Sequence, residues 1–264
     1  MVLCPGIGCD QYAWKYLLPY FQDQYTIVRW NYRGHGKSAT PADPARLSMN
    51  DVRRDLDALV AHLGIDKAML VGHSMGVQVV LDYFVHHKDK VAGLVAICGS
   101  YGTPMKTFHD SNVGDRVLPY LNAALARFPR GARALWKTIL KGSLAFEIAA
   151  RTEVNGDFVL KEDFLPYFEH LRSMDPLIFF RMLAELNRHD VYEHLQDIDT
   201  PTLIVAGERD TFTPAHLSKT MHERIPGSEL LFIPGGSHTA PIEFPELLNL
   251  RIEKFLRERL PKAF

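Results

Sequence analysis

The sequence predicts an α/β fold: a mostly parallel sheet with helices on both faces, interrupted by an inserted helical segment. Three observations carry that expectation. Short apolar runs rich in β-branched residues alternate with amphipathic stretches. Two of the runs, "KAMLVG" and "KVAGLVAIC", are apolar almost throughout, as strands covered on both faces are. Between about Tyr101 and Leu195 the alternation stops, and stretches rich in Leu, Phe and Tyr with helical spacing replace it. The chain thus divides into a core of residues 1–100 and 196–264 and a cap of residues 101–195.

The elements follow in order. "MVLC" is apolar, "GIGCDQ" reads as a loop, and Tyr12 to Phe21 has helical, aromatic spacing. "YTIVRWNY" (25–32) reads as a strand, and "RGHGKSATPADP" as a loop with glycines and prolines. Residues 48–63 form a helix, because Val52, Leu56, Leu59, Val60 and Leu63 share one face and Ser48 with Asp51 fits a capping box. "KAMLVG" is the next strand, 75–87 a helix and "KVAGLVAIC" a strand. After the cap come the strand in "TPTLIVAGERD" (200–210), a helix with Thr213 as N-cap and Pro214 as first residue, the strand in "SELLFIPGGSH", and a closing helix over Glu243 to Arg259.

Composition narrows the function classes. Of 264 residues, 47% are hydrophobic and 23% charged, an ordinary globular balance with material for a core. A formal net charge of -1 gives no electrostatic reason to expect nucleic acid or an anionic membrane as partner. No apolar run approaches the roughly 20 residues of a membrane span. Cys4, Cys9 and Cys98 are odd in number and lack metal-ligand spacing, so they read as reduced thiols in a cytoplasmic setting. No basic-then-apolar leader is visible at the N-terminus.

The chemistry concentrates at "MLVGHSMGVQVV" (69–80), where an apolar strand breaks into Gly-His-Ser-Met-Gly and resumes as helix. Gly72 and Gly76 relieve the crowding of a tight strand-to-helix turn, and Ser74 sits at the carboxyl end of the strand. A serine hydroxyl needs a base. Of the 12 histidines, His238 in "PGGSH" is the one just after the last strand, and Asp210 in "AGERD" ends the strand before it. Carboxyl ends of parallel strands open onto one crevice, so the three loops can converge as nucleophile, base and orienting acid. Glu208 is the rival acid, expected to face away. His73 is expected to be packed and hydrogen-bonded, His35 to be a loop residue near the cleft, His86 and His87 to be solvated, and Cys98 to be a small buried hydrophobe.

On these residues the chain resembles the α/β-hydrolase superfamily, in its serine esterase and lipase-like branch, over most of its length outside 101–195. The resemblance assigns the oxyanion hole to the backbone N–H groups of Ile7, in Cys4-Pro5-Gly6-Ile7-Gly8, and of Met75. Pro5 stands where that family usually has histidine. Asn31-Tyr32-Arg33-Gly34-His35-Gly36-Lys37-Ser38 is similar to its D-x-R-G-x-G-x-S loop, with Asn31 in place of the usual aspartate, and "RDTFTP" and "SHTAPIEFP" also fit. The family normally has two strands before the oxyanion strand, whereas this sequence starts inside that strand. The first two strands are therefore expected to be absent, with Tyr25 to Tyr32 left at a sheet edge.

The resemblance implies a serine hydrolase cleaving carboxylic esters of small to medium acyl groups through an acyl-enzyme, with no metal or organic cofactor. It leaves open a lactonase, a cofactor-free haloperoxidase (perhydrolase) and a non-catalytic ligand receptor of the same fold. Ser74 argues against the dehalogenase and epoxide-hydrolase branches, which place aspartate at that position. The partner is expected to be a small-molecule ester, with self-association into a homo-oligomer open. The cap aromatics Phe108, Tyr120, Phe128, Trp136, Phe146, Phe164, Tyr167, Phe168, Phe179 and Phe180 are expected to divide between packing and roofing the cleft.

Overall fold

The structure, a computed structural model, describes residues 1–10, 12–43, 46–140 and 161–260. Its centre is a six-stranded parallel sheet in the order β2-β1-β3-β4-β5-β6. The strands are β1 (Val2–Cys4), β2 (Val28–Arg29), β3 (Ala68–His73), β4 (Val91–Ile97), β5 (Thr202–Gly207) and β6 (Glu229–Ile233). Every residue of β3, β4 and β5 is buried, which is why their sequences are apolar without alternation.

Alternate residues of each strand feed opposite layers. Leu70, Leu94 and Ala96 pack with Val52, Leu56 and Val60 of α2 (Met49–His62) and with Val77, Val80 and Leu81 of α3 (Met75–His86). Val71, Val95 and Leu203 pack on the other side with Leu17 and Phe21 of α1 (Leu17–Phe21) and with Ile252 and Phe255 of the C-terminal helix Pro245–Arg259. Each such burial stabilises by about 1.5–3 kcal/mol. The Ser48–Asp51 capping box starts α2, as its sequence pattern indicates: Ser48 Oγ accepts from the Asp51 N–H at 3.1 Å, and the Ser48 N–H donates to Asp51 Oδ2 at 3.1 Å.

Several boundaries differ from the sequence reading. Of residues 25–32 only Val28 and Arg29 pair, opposite Val2 and Leu3 of β1. β2 pairs with β1 alone, so it is the sheet edge expected from the sequence, kept short and marked by an exposed Arg29. Tyr32 leaves the strand direction, is fully buried and donates its hydroxyl to the Pro5 carbonyl at 2.8 Å. Thr213 does not cap a helix. Pro214 takes that place before Ala215–Arg224, and the Thr213 hydroxyl turns to Asp210, donating to it at 2.8 Å. The closing helix is broken at Phe244 into Ala240–Glu243 and Pro245–Arg259, because Pro245 suits only a first turn.

In the insertion, the described helices are α4 (Val113–Arg127), α5 (Pro129–Ile139), α6 (Lys161–Ser173) and α7 (Pro176–Arg188). Its two ends are tied together by an antiparallel bridge between Gly102 and Asp190, with Val191 N–H donating to the Tyr101 carbonyl at 3.0 Å. α7 packs back on the core layer through Ile178, Met182 and Leu186. No described helix is long and apolar enough to cross a membrane.

Candidate active site

The break after β3 produces an unusual backbone. Ser74 has φ 56° and ψ -120°, a conformation that costs a non-glycine residue on the order of 1–3 kcal/mol. The surroundings hold it there. A side chain on Gly76 would begin 1.9 Å from the Cys4 carbonyl oxygen, and one on Gly72 would begin 2.4 Å from the Gly76 carbonyl oxygen. The Ser74 N–H donates to the Ile97 carbonyl at 3.0 Å, fixing the turn to β4. Helix α3 starts at the next residue, so the Met75 N–H belongs to a first turn that has no intrahelical acceptors.

His238 lies in the loop after β6, and its Nε2 is 2.8 Å from Ser74 Oγ. Its Nδ1 is 3.0 Å from Oδ2 and 3.1 Å from Oδ1 of Asp210, which follows β5. Asp210 is buried, and its carboxylate also accepts from Phe212 N–H at 3.0 Å, Thr213 N–H at 2.8 Å and the Thr213 hydroxyl at 2.8 Å. These donors fix the orientation of the carboxylate. Three residues read from three separate loops thus form one hydrogen-bonded line. Glu208 stands apart: it accepts from the Gly235 N–H at 2.8 Å, in the turn after β6.

The polar frame around His238 was not legible from the sequence. Glu243 is buried and holds both neighbours of that histidine, accepting from the Ser237 N–H at 2.7 Å, the Ser237 hydroxyl and the Thr239 hydroxyl at 2.9 Å. The available signal was an acid one helical turn after "SHT". His73 is packed and hydrogen-bonded as expected, its Nε2 donating to the His238 carbonyl at 2.9 Å. Burial first, and the neighbouring His238 second, push its pKa down to about 4, so the ring stays neutral. His35 is fully buried and its pKa is likewise about 4 through burial, so it is a core group of its loop.

Cys98 is buried with its thiol pushed well above the ordinary range by burial, which leaves it a small hydrophobe. His86 is exposed, as expected, whereas His87 is half-buried with its ring on Tyr83. No group of metal-ligating side chains occurs among the described residues.

Ser74, His238, Ile7 and Met75 open onto a cavity of about 400 Å³. Phe164, Tyr167, Phe168 and Leu171 of α6 line it, with Phe179, Phe180 and Leu183 of α7. Phe108 and Phe212 stand at the wall beside His238, where the Phe212 ring is 4.9 Å from the imidazole. The other cap aromatics divide as follows. Trp136 packs on Phe179 and Phe180 and donates to the Leu171 carbonyl at 2.8 Å, whereas Tyr120 and Phe128 are exposed. Phe146 lies outside the described residues. The cap also rests on the loop of Ile7: a side chain on Gly8, at φ +69°, would begin 2.9 Å from Leu171 and 3.0 Å from Phe179.

Known proteins resemble the chain along its whole length. It is 25% identical over 263 residues to the protein named "Putative carbamate hydrolase RutD" of Klebsiella pneumoniae, covering 100% of this chain and 93% of that one. A thermophilic esterase from Thermogutta terrifontis superposes with TM-score 0.76 at 24% identity, covering 98% of this chain and 90% of the other. The enol-lactonase of Burkholderia xenovorans gives TM-score 0.79 at 18% identity, with 97% and 90% covered. The family model described as alpha/beta hydrolase fold matches residues 1–245. With that match, the parallel sheet and the strand-to-helix turn at Ser74, the chain belongs to the alpha/beta hydrolase fold family.

Proposed function

We propose that the protein is a serine hydrolase that cleaves carboxylic esters with small to medium apolar acyl groups. The observation that carries this reading is the 2.8 Å approach of His238 Nε2 to Ser74 Oγ, with Asp210 behind the other ring nitrogen. Ser74 Oγ attacks the ester carbonyl while His238 takes its proton, and Asp210 orients and stabilises the imidazolium. The backbone N–H groups of Ile7 and Met75 hold the oxyanion, each such donor being worth roughly 3–4 kcal/mol. His238 then gives the proton to the leaving alkoxide, and the acyl group remains on Ser74. Water attacks that acyl-enzyme, loses its proton to His238 and releases the acid, and the proton returns to Ser74.

Residues 101–195 act in this reading as a lid whose aromatic side chains receive the acyl group. The apolar walls supplied by Phe164, Phe168, Phe179 and Phe180 support an ester with a hydrocarbon acyl chain over a small polar substrate. A p-nitrophenyl ester series from acetyl to long acyl tests the proposal. Hydrolysis is expected to peak at a short or medium chain, and Ser74→Ala is expected to lose about 10⁶ in kcat, the scale of a nucleophile knockout in a serine protease. Labelling by a fluorophosphonate is expected in the parent and not in the variant. Equal turnover by both proteins would sink the assignment.

A further inference from the structure

One part of the cavity wall does not fit a purely hydrocarbon ligand. Gln78 and Ser100, each no more than 2% exposed, line the same cavity as Ser74, beside Met105 and Leu186. Gln78 follows Ser74 by one turn of α3, a rise of roughly 5 Å. Its Nε2 donates one hydrogen to Ser100 Oγ at 3.2 Å. Its Oε1 faces His189 Nδ1 at 3.1 Å, and the other nitrogen of that ring lies 3.2 Å from Asp82 Oδ1. Asp82 in turn lies 3.3 Å from Arg53 Nε. The amide is therefore anchored from behind by a chain of polar and charged side chains.

That anchoring leaves a donor unspent. A primary amide carries two N–H donors, and whichever way the amide is turned between Ser100 and His189, one of them has no acceptor among the described residues. Buried donors of this kind are satisfied by water or by a ligand. We propose that Gln78 and Ser100 form a specificity site for an acceptor oxygen, a ketone or hydroxyl oxygen, a few carbons from the reacting carbonyl. The preferred substrates are then oxo- or hydroxy-acyl esters, with an apolar body among the cap aromatics and an oxygen at this pair. This deepens the proposed ester hydrolysis and rests on it.

The test compares kcat/KM for p-nitrophenyl esters from butanoyl to heptanoyl with their mono-oxo counterparts. The parent protein, Gln78→Leu (which removes the donors and keeps the bulk) and Ser100→Ala are measured on both sets. At least one oxo ester is expected to exceed its plain counterpart by about tenfold or more in the parent, since a site built to hydrogen-bond a group discriminates against the analogue lacking it. That ratio is expected to fall to near one in Gln78→Leu and severalfold in Ser100→Ala. Because it is a ratio within one preparation, a common loss from misfolding cancels. Plain esters hydrolysed with no oxo preference at any length, or a preference untouched by both variants, overturns the specificity site alone. Failure of the parent on every ester overturns the hydrolase reading and this inference with it.

Discussion

The sheet core and the helical cap bury their apolar residues differently. In the core, β3, β4, β5 and the first ten residues of α3 are buried completely, and the turn at Ser74 is wedged between backbone atoms that no added methyl group could pass. In the cap, Val113, Tyr120, Phe128, Leu135 and Ile139 are exposed, and α5 has no buried residue. One region sets three side chains to within hydrogen-bond tolerance. The other presents aromatic side chains, some lining the cavity and some exposed to solvent. The proposed triad and the Gln78–Ser100 pair lie on the closely packed core and the aromatic wall lies on the cap, so substitutions can probe the two regions separately.

The largest effect belongs to the core. Asp210→Asn keeps the volume of a side chain held by Phe212 and Thr213, and it is expected to lower kcat by about 10⁴, the scale of that change in a Ser-His-Asp protease. Ester kinetics beside a thermal melt check this. A kcat within tenfold of the parent would remove Asp210 from the proposed triad.

Next comes the seam between core and cap. His35, whose ring lies 6.5 Å from that of His170 on α6, and His73 each have a pKa of about 4 in the fold against 6.5 for an ordinary histidine, chiefly through burial. Between those pH values the unfolded chain binds protons that the native chain does not. Their stabilising effect is thus complete above about pH 6.5 and is lost as pH falls towards 4, with a slope of up to about 1.4 kcal/mol per pH unit for each. Urea unfolding at intervals from pH 7 to 4.5 is expected to show this decline, and a shallower one for His35→Gln. An identical slope in that variant would show that His35 does not contribute.

The smallest effects are expected in the cap. Phe179→Ala enlarges the acyl cavity and is expected to move the optimum of the ester series to longer chains, changing relative kcat/KM by about tenfold, near the low end of the 1–3 kcal/mol that one methylene commands in an apolar pocket. Tyr120→Ser, at 78% exposure, is expected to alter stability by no more than about 0.5 kcal/mol and the chain-length profile not at all. A shifted profile in Tyr120→Ser would mean that the cap surface and the cavity are coupled.

Local pattern was enough to read the buried strands, the α2 capping box, the strand-to-helix turn at Ser74 and the loops that carry Asp210 and His238. Each of these depends on neighbours in the chain: apolar runs, spacing around a helix, glycines beside a strained residue. Parallel topology then requires the carboxyl ends of those strands to share one side. Tertiary structure alone decided what depends on distant partners. β2 pairs at two residues only, Val28 and Arg29, opposite Val2 and Leu3 of β1. The Thr213 side chain turned to Asp210 and Pro214 took the N-cap place, and Glu243 emerged as the frame of the His238 loop. The same holds for the cap aromatics, since residues of one composition face the cavity at Phe179 and solvent at Tyr120. Periodicity reports that a side chain will be covered, but the element that covers it is fixed only when the chain closes on itself.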